Sequence, residues 1–246
     1  MPVCQADVAA IELPEARAWP VDGGESLIGV PVQMLIGAVV GYLLGMIPTG
    51  AVVGRALGVD LTQVGSKRTG ATNVLRTLGV RWAIVVFVGD FVKGLLAVVI
   101  TGWIVGGAGG DPERWAQVMA ASFAVLGHTF SPLLGFRGGR GIVTGGGGLI
   151  VLSWEAFLVS LICGSTTVAT TRYVSAGSLI GTIAAGSVVL IQVAFFDGPS
   201  AFWLYGTALP AFIILAHRDN IYRLATGTER KLSKGSRSQP PGQPAP

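Results

Sequence analysis

The stretch of residues 64–79, VGSKRTGATNVLRTLG, decides how the rest of this sequence is interpreted. It is a polar, cationic loop that lies directly between two long apolar segments. Its polar side chains are groups that bind anions, namely Ser66, Lys67, Arg68, Thr69, Thr72, Asn73 and Arg76. Glycines at 65 and 70 would let backbone N–H groups approach a ligand, and a helix that begins near Ala71 would point its positive end at the same place. The stretch therefore predicts a phosphate site at a membrane surface.

Composition places the chain among integral membrane proteins. Of its 246 residues 51% are hydrophobic and only 12% are charged, and the mean hydropathy is +0.64. A soluble domain carries about 25% charged residues. The 37 glycines fall largely inside apolar segments, which predicts close contact between helices. The net charge of +4 is typical of cationic cytoplasmic loops and does not imply a nucleic acid partner.

Neither a disulfide framework nor a metal site is expected from the cysteines. The chain has two, Cys4 in a polar tail and Cys163 in an apolar segment. No spacing of Cys and His residues resembles a metal-binding motif, so no metal and no cofactor is predicted.

Membrane spans follow from the apolar stretches, because about 20 helical residues cross the hydrocarbon core. Stretches of sufficient length and few charges are 27–54, 80–106, 116–136, 173–196 and 198–216. The second contains Asp90 and Lys93, which share a helix face and should form an ion pair, extend to the membrane surface or face a polar cavity. The third contains His128, which on its own is more typical of a hydrogen bond between helices than of catalysis.

Residues 142–171 could form one tilted span or two short ones, because SWEA at 153–156 interrupts them. With two spans, most of the 17 basic residues lie on one side of the membrane, whereas one span divides them about evenly. The positive-inside rule therefore favours two spans. The predicted fold is an all-α integral membrane protein with seven transmembrane helices, an outside N-terminus, a cytoplasmic C-terminus and a re-entrant-like polar loop after helix 1. We expect a flexible tail at 1–26, the seven-helix domain at 27–232 and a disordered tail at 233–246.

In this topology four polar clusters share the cytoplasmic face. They are GSKRTGATN at 65–73, FRGGRG at 136–141, RYVSAGS at 172–178 and HRDNIYRL at 217–224. A phosphate-bearing substrate needs several donors from different helices. The two arginines of FRGGRG, separated by two glycines, suggest a cradle of backbone N–H groups and guanidinium, although a solvated loop remains an alternative. Together the clusters predict one composite pocket.

At these residues the sequence resembles the bacterial acyl-phosphate-dependent glycerol-3-phosphate acyltransferase family, across residues 43–231. The first signature of that family, Gly-Ser-Gly-Asn-x-Gly-Ala-Thr-Asn, stands here as GSKRTGATN, and Asp90, Lys93 and Gly94 match an Asp-x-x-Lys-Gly element. The second signature appears as GHTFSPLLGFRGGRG at 127–141, and YVSAGS at 173–178 resembles the Tyr-Val-Ser element. The third stands as HRDNIYRLATGTE at 217–229. The ordered set carries the resemblance better than any single motif.

The resemblance implies an enzyme that transfers an acyl group from acyl phosphate to the 1-hydroxyl of sn-glycerol 3-phosphate, releasing lysophosphatidic acid and phosphate. It also implies phospholipid biosynthesis in the bacterial inner membrane, with an active site that faces the cytoplasm. The expected partners are glycerol 3-phosphate, acyl phosphate, membrane lipid and a soluble enzyme that supplies acyl phosphate.

Site residues follow from the same motifs. The catalytic candidates are Ser66, Asn73 and His217, and the substrate-binding candidates are Thr72, Arg76, Arg140, Ser178 and Asn220. The two arginines are suited to clamp phosphate bidentately, and His217 could hold phosphate or act as a base. In the family, the substrate's own phosphate is thought to help remove the hydroxyl proton. The acyl chain would lie between apolar helices, where glycines 145–148 leave room.

Two other functions remain open from the sequence. Cationic loops and glycine-interrupted spans also build transporters for organic phosphates or other anions. A second alternative is a family paralogue with weak or altered activity, because Lys67 and Arg68 replace the family's Gly-Asn and Arg140 replaces a lysine. A lysine at 67 would be strained by about 1–2 kcal/mol if its φ angle were positive.

Overall fold

The computed structural model describes residues 29–106 and 111–232, so the predicted tails at 1–26 and 233–246 lie outside the described residues. The described chain is helical and contains no strand. Its helices are α1 (Val30–Gly45), α2 (Thr49–Ala56), α3 (Ala71–Thr77), α4 (Val80–Val105), α5 (Asp111–Thr129), α6 (Ile142–Leu152), α7 (Trp154–Thr171), α8 (Val174–Phe195), α9 (Phe202–Ala216) and α10 (Arg218–Ala225). This confirms the all-α class.

Membrane-spanning segments are recognisable among these helices. By length and composition, four segments of the described chain are able to cross a membrane: Val30–Ala56, Val80–Val105, Asp111–Leu134 and Val174–Phe195. The helices α6 and α9 are also apolar but shorter. The segments follow the predicted order along the chain, while the total of seven spans stays a prediction.

The first predicted span, 27–54, corresponds to the membrane-crossing segment Val30–Ala56, and within this segment the helix is broken between α1 and α2. Pro48 has no N–H group to donate and disfavours helical geometry in the preceding residue. Two carbonyl groups at the break accept hydrogen bonds from side chains elsewhere in the chain. Met46 O accepts from Ser131 Oγ at 2.7 Å, and Ile47 O accepts from Lys93 Nζ at 2.9 Å. The break therefore connects α1 to α4 and to the turn after α5.

The interruption predicted within 142–171 is present, at Ser153. This residue ends α6 and caps α7, because its Oγ accepts from the Ala156 N–H at 3.2 Å. Two helices are thus observed here, whereas the prediction that each of them spans the membrane stays a prediction. The third segment, Asp111–Leu134, begins and ends a few residues before the predicted span 116–136. The helix α9 begins four residues later than the predicted last span and ends at Ala216 as predicted, and the polar helix α10 was not predicted.

Glycines hold the helices unusually close together. Gly37, Gly41 and Gly45 lie one helical turn apart on α1, and a Cβ atom on any of them would overlap a carbonyl oxygen of α5. Gly94 on α4 and Gly147 on α6 make equivalent contacts across the α4–α6 interface. This confirms the sequence-based expectation that the glycines of the apolar segments serve close packing.

A buried ion pair on α4 connects this helix to two other elements. Lys93 Nζ donates to Asp90 Oδ1 at 2.8 Å, to Ile47 O at 2.9 Å and to His128 Nδ1 at 2.8 Å. Thr49 Oγ1 donates to the same oxygen of Asp90 at 2.7 Å. The three ammonium protons thus have three acceptors on different elements, and of the three arrangements predicted for Asp90 and Lys93 the ion pair is observed.

We predict that Lys93→Met lowers the free energy of unfolding by about 3–5 kcal/mol, because it leaves the Asp90 carboxylate buried without a cation. The double variant Asp90→Asn/Lys93→Met removes both charges and should recover part of this loss. Thermal unfolding of the protein in detergent measures both effects. Equal losses in the single and the double variant would show that the uncompensated charge is not the cause.

Candidate functional site

A polar cavity of about 280 Å³ lies where the four polar clusters meet. Its walls come from the loop before α3, from α3 itself, from the loop before α6, from the start of α8 and from the chain around α10. All eight residues named from the sequence line it: Ser66, Thr72, Asn73, Arg76, Arg140, Ser178, His217 and Asn220. The predicted convergence of the four clusters is therefore observed.

Asn73 organises the first loop. Its Oδ1 accepts from the Ser66 N–H at 3.0 Å. The two hydrogens of its Nδ2 are shared among three carbonyls within hydrogen-bond distance, those of Arg68 at 2.8 Å, Val64 at 3.1 Å and Leu61 at 3.3 Å. The helix α3 begins at Ala71, as expected from the sequence. The Asn73 amide is thus fully engaged in backbone contacts, which makes it a residue that shapes the loop.

The second loop differs from the predicted cradle of backbone N–H groups. Gly138 N–H donates to Thr129 O at 3.0 Å, and Gly139 N–H donates to His128 O at 3.1 Å. A Cβ atom on either glycine would overlap His128. The two glycines therefore serve close packing on the end of α5, and their N–H groups are not available to a ligand.

The two arginines of the second loop have different surroundings. Arg137 is exposed and lies outside the cavity, whereas Arg140 lines it. The Arg140 Nε atom is buried and has no hydrogen-bond partner among the described residues. Burial, together with nearby Arg68 and Arg223, lowers the pKa of Arg140 to about 10, so that it remains cationic at neutral pH. A buried guanidinium with a free N–H group is suited to bind an anion.

The charge of the cavity wall is strongly positive. Six basic residues line it: Lys67, Arg68, Arg76, Arg140, Arg223 and Arg230. Three acidic residues line it as well, and of these Asp90 is bonded to Lys93 and Glu229 to Arg223. Within the described chain no three His, Cys, Asp or Glu side chains come together in a way that could hold a metal ion.

Glu229 is a site residue that the sequence reasoning did not single out. Its carboxylate accepts from Ser175 Oγ at 2.9 Å, from Asn220 Nδ2 at 2.9 Å and from Arg223 Nε at 2.7 Å. Burial opposes its ionisation, but these hydrogen bonds outweigh burial and lower the pKa of Glu229. The signal available in the sequence was its match to the last position of the third signature.

The contact with Glu229 fixes the orientation of the Asn220 amide. Because a carboxylate can only accept, the Asn220 NH₂ group must face Glu229. The Asn220 Oδ1 atom is left buried and without a partner among the described residues. Asn220 lines the cavity and has an unpartnered acceptor atom, which is suited to accept from a substrate hydroxyl.

His217 is held in one tautomer at the end of α9. Its Nδ1 lies 2.8 Å from Ile213 O and donates to that carbonyl, which leaves Nε2 as an acceptor. Burial lowers the pKa of His217 to about 4, with a further contribution from Arg140 and against the opposing effect of the Ile213 hydrogen bond. In the unliganded protein the imidazole is therefore neutral at pH 7.

An apolar cavity of about 550 Å³ adjoins the polar one. It lies among α3, α4 and α6–α9, and it shares Thr72, Ser178 and a few apolar residues with the polar cavity. Gly145 and Gly146 line it, whereas Gly147 and Gly148 pack against α4 and α5. Only part of the predicted glycine run therefore leaves open space.

Comparison with known proteins gives a consistent result. Residues 35–227 match the family model described as glycerol-3-phosphate acyltransferase. The chain is 39% identical to glycerol-3-phosphate acyltransferase 1 of Deinococcus radiodurans, over 81% of this chain and 96% of that protein. It is 40% identical to a glycerol-3-phosphate acyltransferase of a Synechococcus species, over 82% of this chain and 95% of that protein.

A solved structure is also similar. The crystal structure of PlsY, an integral membrane glycerol 3-phosphate acyltransferase, in its glycerol 3-phosphate form superposes with a TM-score of 0.72 at 34% identity. The match covers 81% of this chain and 96% of PlsY. The lysophosphatidic acid form of PlsY gives a TM-score of 0.70 at 33% identity.

We predict that His217 titrates with a pKa near 4 in the unliganded protein, well below its ordinary value of 6.5. The folded protein then binds fewer protons than the unfolded chain between these two values, so that His217 lowers the free energy of unfolding as the pH falls through this window. Saturating inorganic phosphate should raise the pKa, because an anion favours the imidazolium.

The chain has two histidines, so NMR of the protein labelled at histidine can follow both, and His217→Gln assigns the signal. A pKa of 6.5 or above without phosphate would contradict the prediction.

Proposed function

The chain belongs to the glycerol-3-phosphate acyltransferase family, and from that membership we propose that it transfers an acyl group from acyl phosphate to the 1-hydroxyl of sn-glycerol 3-phosphate. The products are lysophosphatidic acid and inorganic phosphate. The protein is thus an integral membrane acyltransferase of phospholipid synthesis, and this function replaces the transporter considered from the sequence. The identity of the acyl donor is part of the proposal.

One observation carries the proposal: a cationic polar cavity adjoins an apolar cavity, and two residues that line the polar cavity have buried groups that lack a partner. The Arg140 Nε and the Asn220 Oδ1 are buried and unpartnered among the described residues. The former suits a phosphoryl oxygen and the latter suits a hydroxyl group. An apolar cavity beside them suits an acyl chain, so one site has a place for each chemical part of the two substrates.

Binding follows from the placement of these groups. Arg140 and Arg76 hold the phosphoryl groups, and Asn220 Oδ1 accepts from a glycerol hydroxyl. The acyl chain lies in the apolar cavity, so its carbonyl group reaches the junction of the two cavities. Thr72 and Ser178 lie at this junction, and their hydroxyl groups can donate to the carbonyl oxygen as negative charge develops on it.

The transfer itself needs no covalent enzyme intermediate. The glycerol 1-hydroxyl oxygen attacks the carbonyl carbon, a tetrahedral intermediate forms, and the bond from carbon to the phosphate oxygen breaks. Inorganic phosphate leaves with the bonding electrons. The hydroxyl proton passes to a substrate phosphate oxygen or to His217 Nε2, which is unprotonated in the unliganded protein.

The remaining residues support this site. Asn73 was expected to be catalytic, and we propose instead that it positions the loop that carries Ser66, since its amide contacts only backbone atoms. Glu229 orients Asn220 and Arg223 in the same indirect way.

The membrane topology is a proposal too. We place the protein in the bacterial inner membrane with seven spans, an outside N-terminus and a cavity that faces the cytoplasm. The supporting argument is the one-sided distribution of basic residues. Glycerol 3-phosphate, acyl phosphate and a soluble enzyme that supplies it would then all approach from the cytoplasm.

We predict that the purified protein in detergent releases phosphate from palmitoyl phosphate only when glycerol 3-phosphate is present. Arg140→Gln should lower kcat/KM at least tenfold, because one charge-assisted contact is worth about 1.5–3 kcal/mol. Arg137→Gln is the matched control, since this arginine lies outside the cavity. The absence of turnover by the wild type, or equal effects of the two variants, would contradict the proposal.

A second prediction concerns the length of the acyl chain. A Cβ atom on Gly146 would lie 3.7 Å from Phe157 Cε2, an ordinary contact, so Gly146→Ala should retain activity. Gly146→Leu places a larger side chain in the apolar cavity and should raise the KM for palmitoyl phosphate more than the KM for decanoyl phosphate. Equal changes for the two donors would argue that the acyl chain lies elsewhere.

A further inference from the structure

Two basic residues stand in the first loop where the related family signature has Gly-Asn. Lys67 is exposed and Arg68 is half-buried, and both line the polar cavity. The Arg68 carbonyl accepts from Asn73 Nδ2 at 2.8 Å, so the backbone at this point is fixed. No carboxylate of the described residues lies within ion-pair distance of the Arg68 guanidinium. Arg68 therefore contributes an uncompensated charge to the cavity wall.

The backbone at Lys67 has a positive φ angle, which is the condition under which the sequence analysis predicts strain for a lysine. Its φ angle is 55°, in the left-handed region where a glycine is unstrained and a lysine costs about 1–2 kcal/mol. Strained residues concentrate at functional sites, where other interactions hold them in place. The loop keeps its conformation here because Asn73 binds the backbone on both sides of residue 67.

The charge of Arg68 is felt by other cavity residues. It lies close enough to Arg140 and His217 to lower the pKa of both, after the larger effect of burial. Arg223 acts on Arg140 in the same sense. In the unliganded protein these cations repel one another. An anion bound among them would be attracted to each of them and would offset this repulsion.

The net charge of the residues that line the polar cavity indicates how much negative charge a ligand can carry there. Six basic and three acidic residues line the cavity. Without Lys67 and Arg68, four basic residues would face the same three acids, and the surplus of positive charge would fall from three to one. A phosphoryl group carries about −1.5 to −2 charges at pH 7. The proposed reaction brings two phosphoryl groups into the cavity together. A larger surplus of positive charge on the cavity wall favours the binding of two such anions.

We propose that Arg68 is an additional phosphate-binding residue of this chain, which contacts a phosphoryl group of one of the two substrates and sets its affinity. The identity of that anion rests on the proposed function, whereas the binding of phosphate at Arg68 does not. The phosphoryl group could belong to glycerol 3-phosphate or to the acyl phosphate. In both cases the chemistry is the same, a dianion held by a guanidinium from the loop before α3.

Steady-state kinetics with each substrate varied in turn tests the proposal. Arg68→Asn introduces the residue of the family signature and should raise the KM for one of the two substrates about tenfold, with kcat changed less than threefold. An effect confined to glycerol 3-phosphate or to acyl phosphate identifies which phosphoryl group Arg68 contacts. Arg68→Lys should restore part of the affinity, because it keeps the charge but not the planar fork. Arg137→Asn, a charge change outside the cavity, should match the wild type.

A second measurement does not depend on turnover. Inorganic phosphate should stabilise the wild-type protein in detergent against thermal unfolding, and Arg68→Asn should need about tenfold more phosphate for the same shift in Tm. If the wild type shows this shift but no turnover, the proposed reaction fails while the role of Arg68 stands. The proposal is overturned if Arg68→Asn leaves both KM values and the phosphate response within twofold of the wild type. It is also overturned if the variant loses kcat alone or is more active than the wild type.

Discussion

The ammonium group of Lys93 is the point on which the rest of the structure depends. An ammonium inside an apolar bundle is tolerated only when its protons are donated, and here they go to Asp90, Ile47 O and His128. These acceptors lie on α4 itself, at the break between α1 and α2, and on α5. One charge therefore fixes three elements relative to one another. The helix break at Pro48 contributes to this arrangement, because it leaves the Ile47 carbonyl free to accept a hydrogen bond from Lys93.

The position of the candidate site follows from that arrangement. His128 accepts from Lys93 through its ring and from Gly139 through its carbonyl, so the buried network extends into the loop that carries Arg140. On the opposite wall Asn73 holds the first loop by backbone contacts alone. The loops that carry Arg140 and Arg68 are thus held from behind the cavity wall, by the Lys93 network through His128 on one side and by the Asn73 amide on the other. Arg68 and Arg140 have no carboxylate partner among the described residues, whereas Arg223 is paired with Glu229, so the first two guanidinium groups are available to an anion.

The sequence predicted the helices better than it predicted the contacts, and the physical reason is the membrane. Inside a membrane the backbone N–H and C=O groups must be hydrogen-bonded within the protein, so long apolar stretches predict helices. The serine at 153 marks the break between α6 and α7. The polar helix α10 has no such signal. The roles of Asn73 and Glu229 depend on partners that only the folded chain brings together. The motifs predicted that these residues lie near the site, but they did not predict which atoms their side chains contact.

The departures in the first loop change its charge without changing its architecture. Asn73 contacts the backbone of residues 61, 64, 66 and 68 and no side chain of the loop. Substitution at 67 or 68 therefore leaves every one of these bonds in place, and the loop tolerates the strain at Lys67. A site that had lost its function would be free to lose its fixed backbone as well. Here the backbone is retained and the wall carries more positive charge, which fits a loop that still binds an anion.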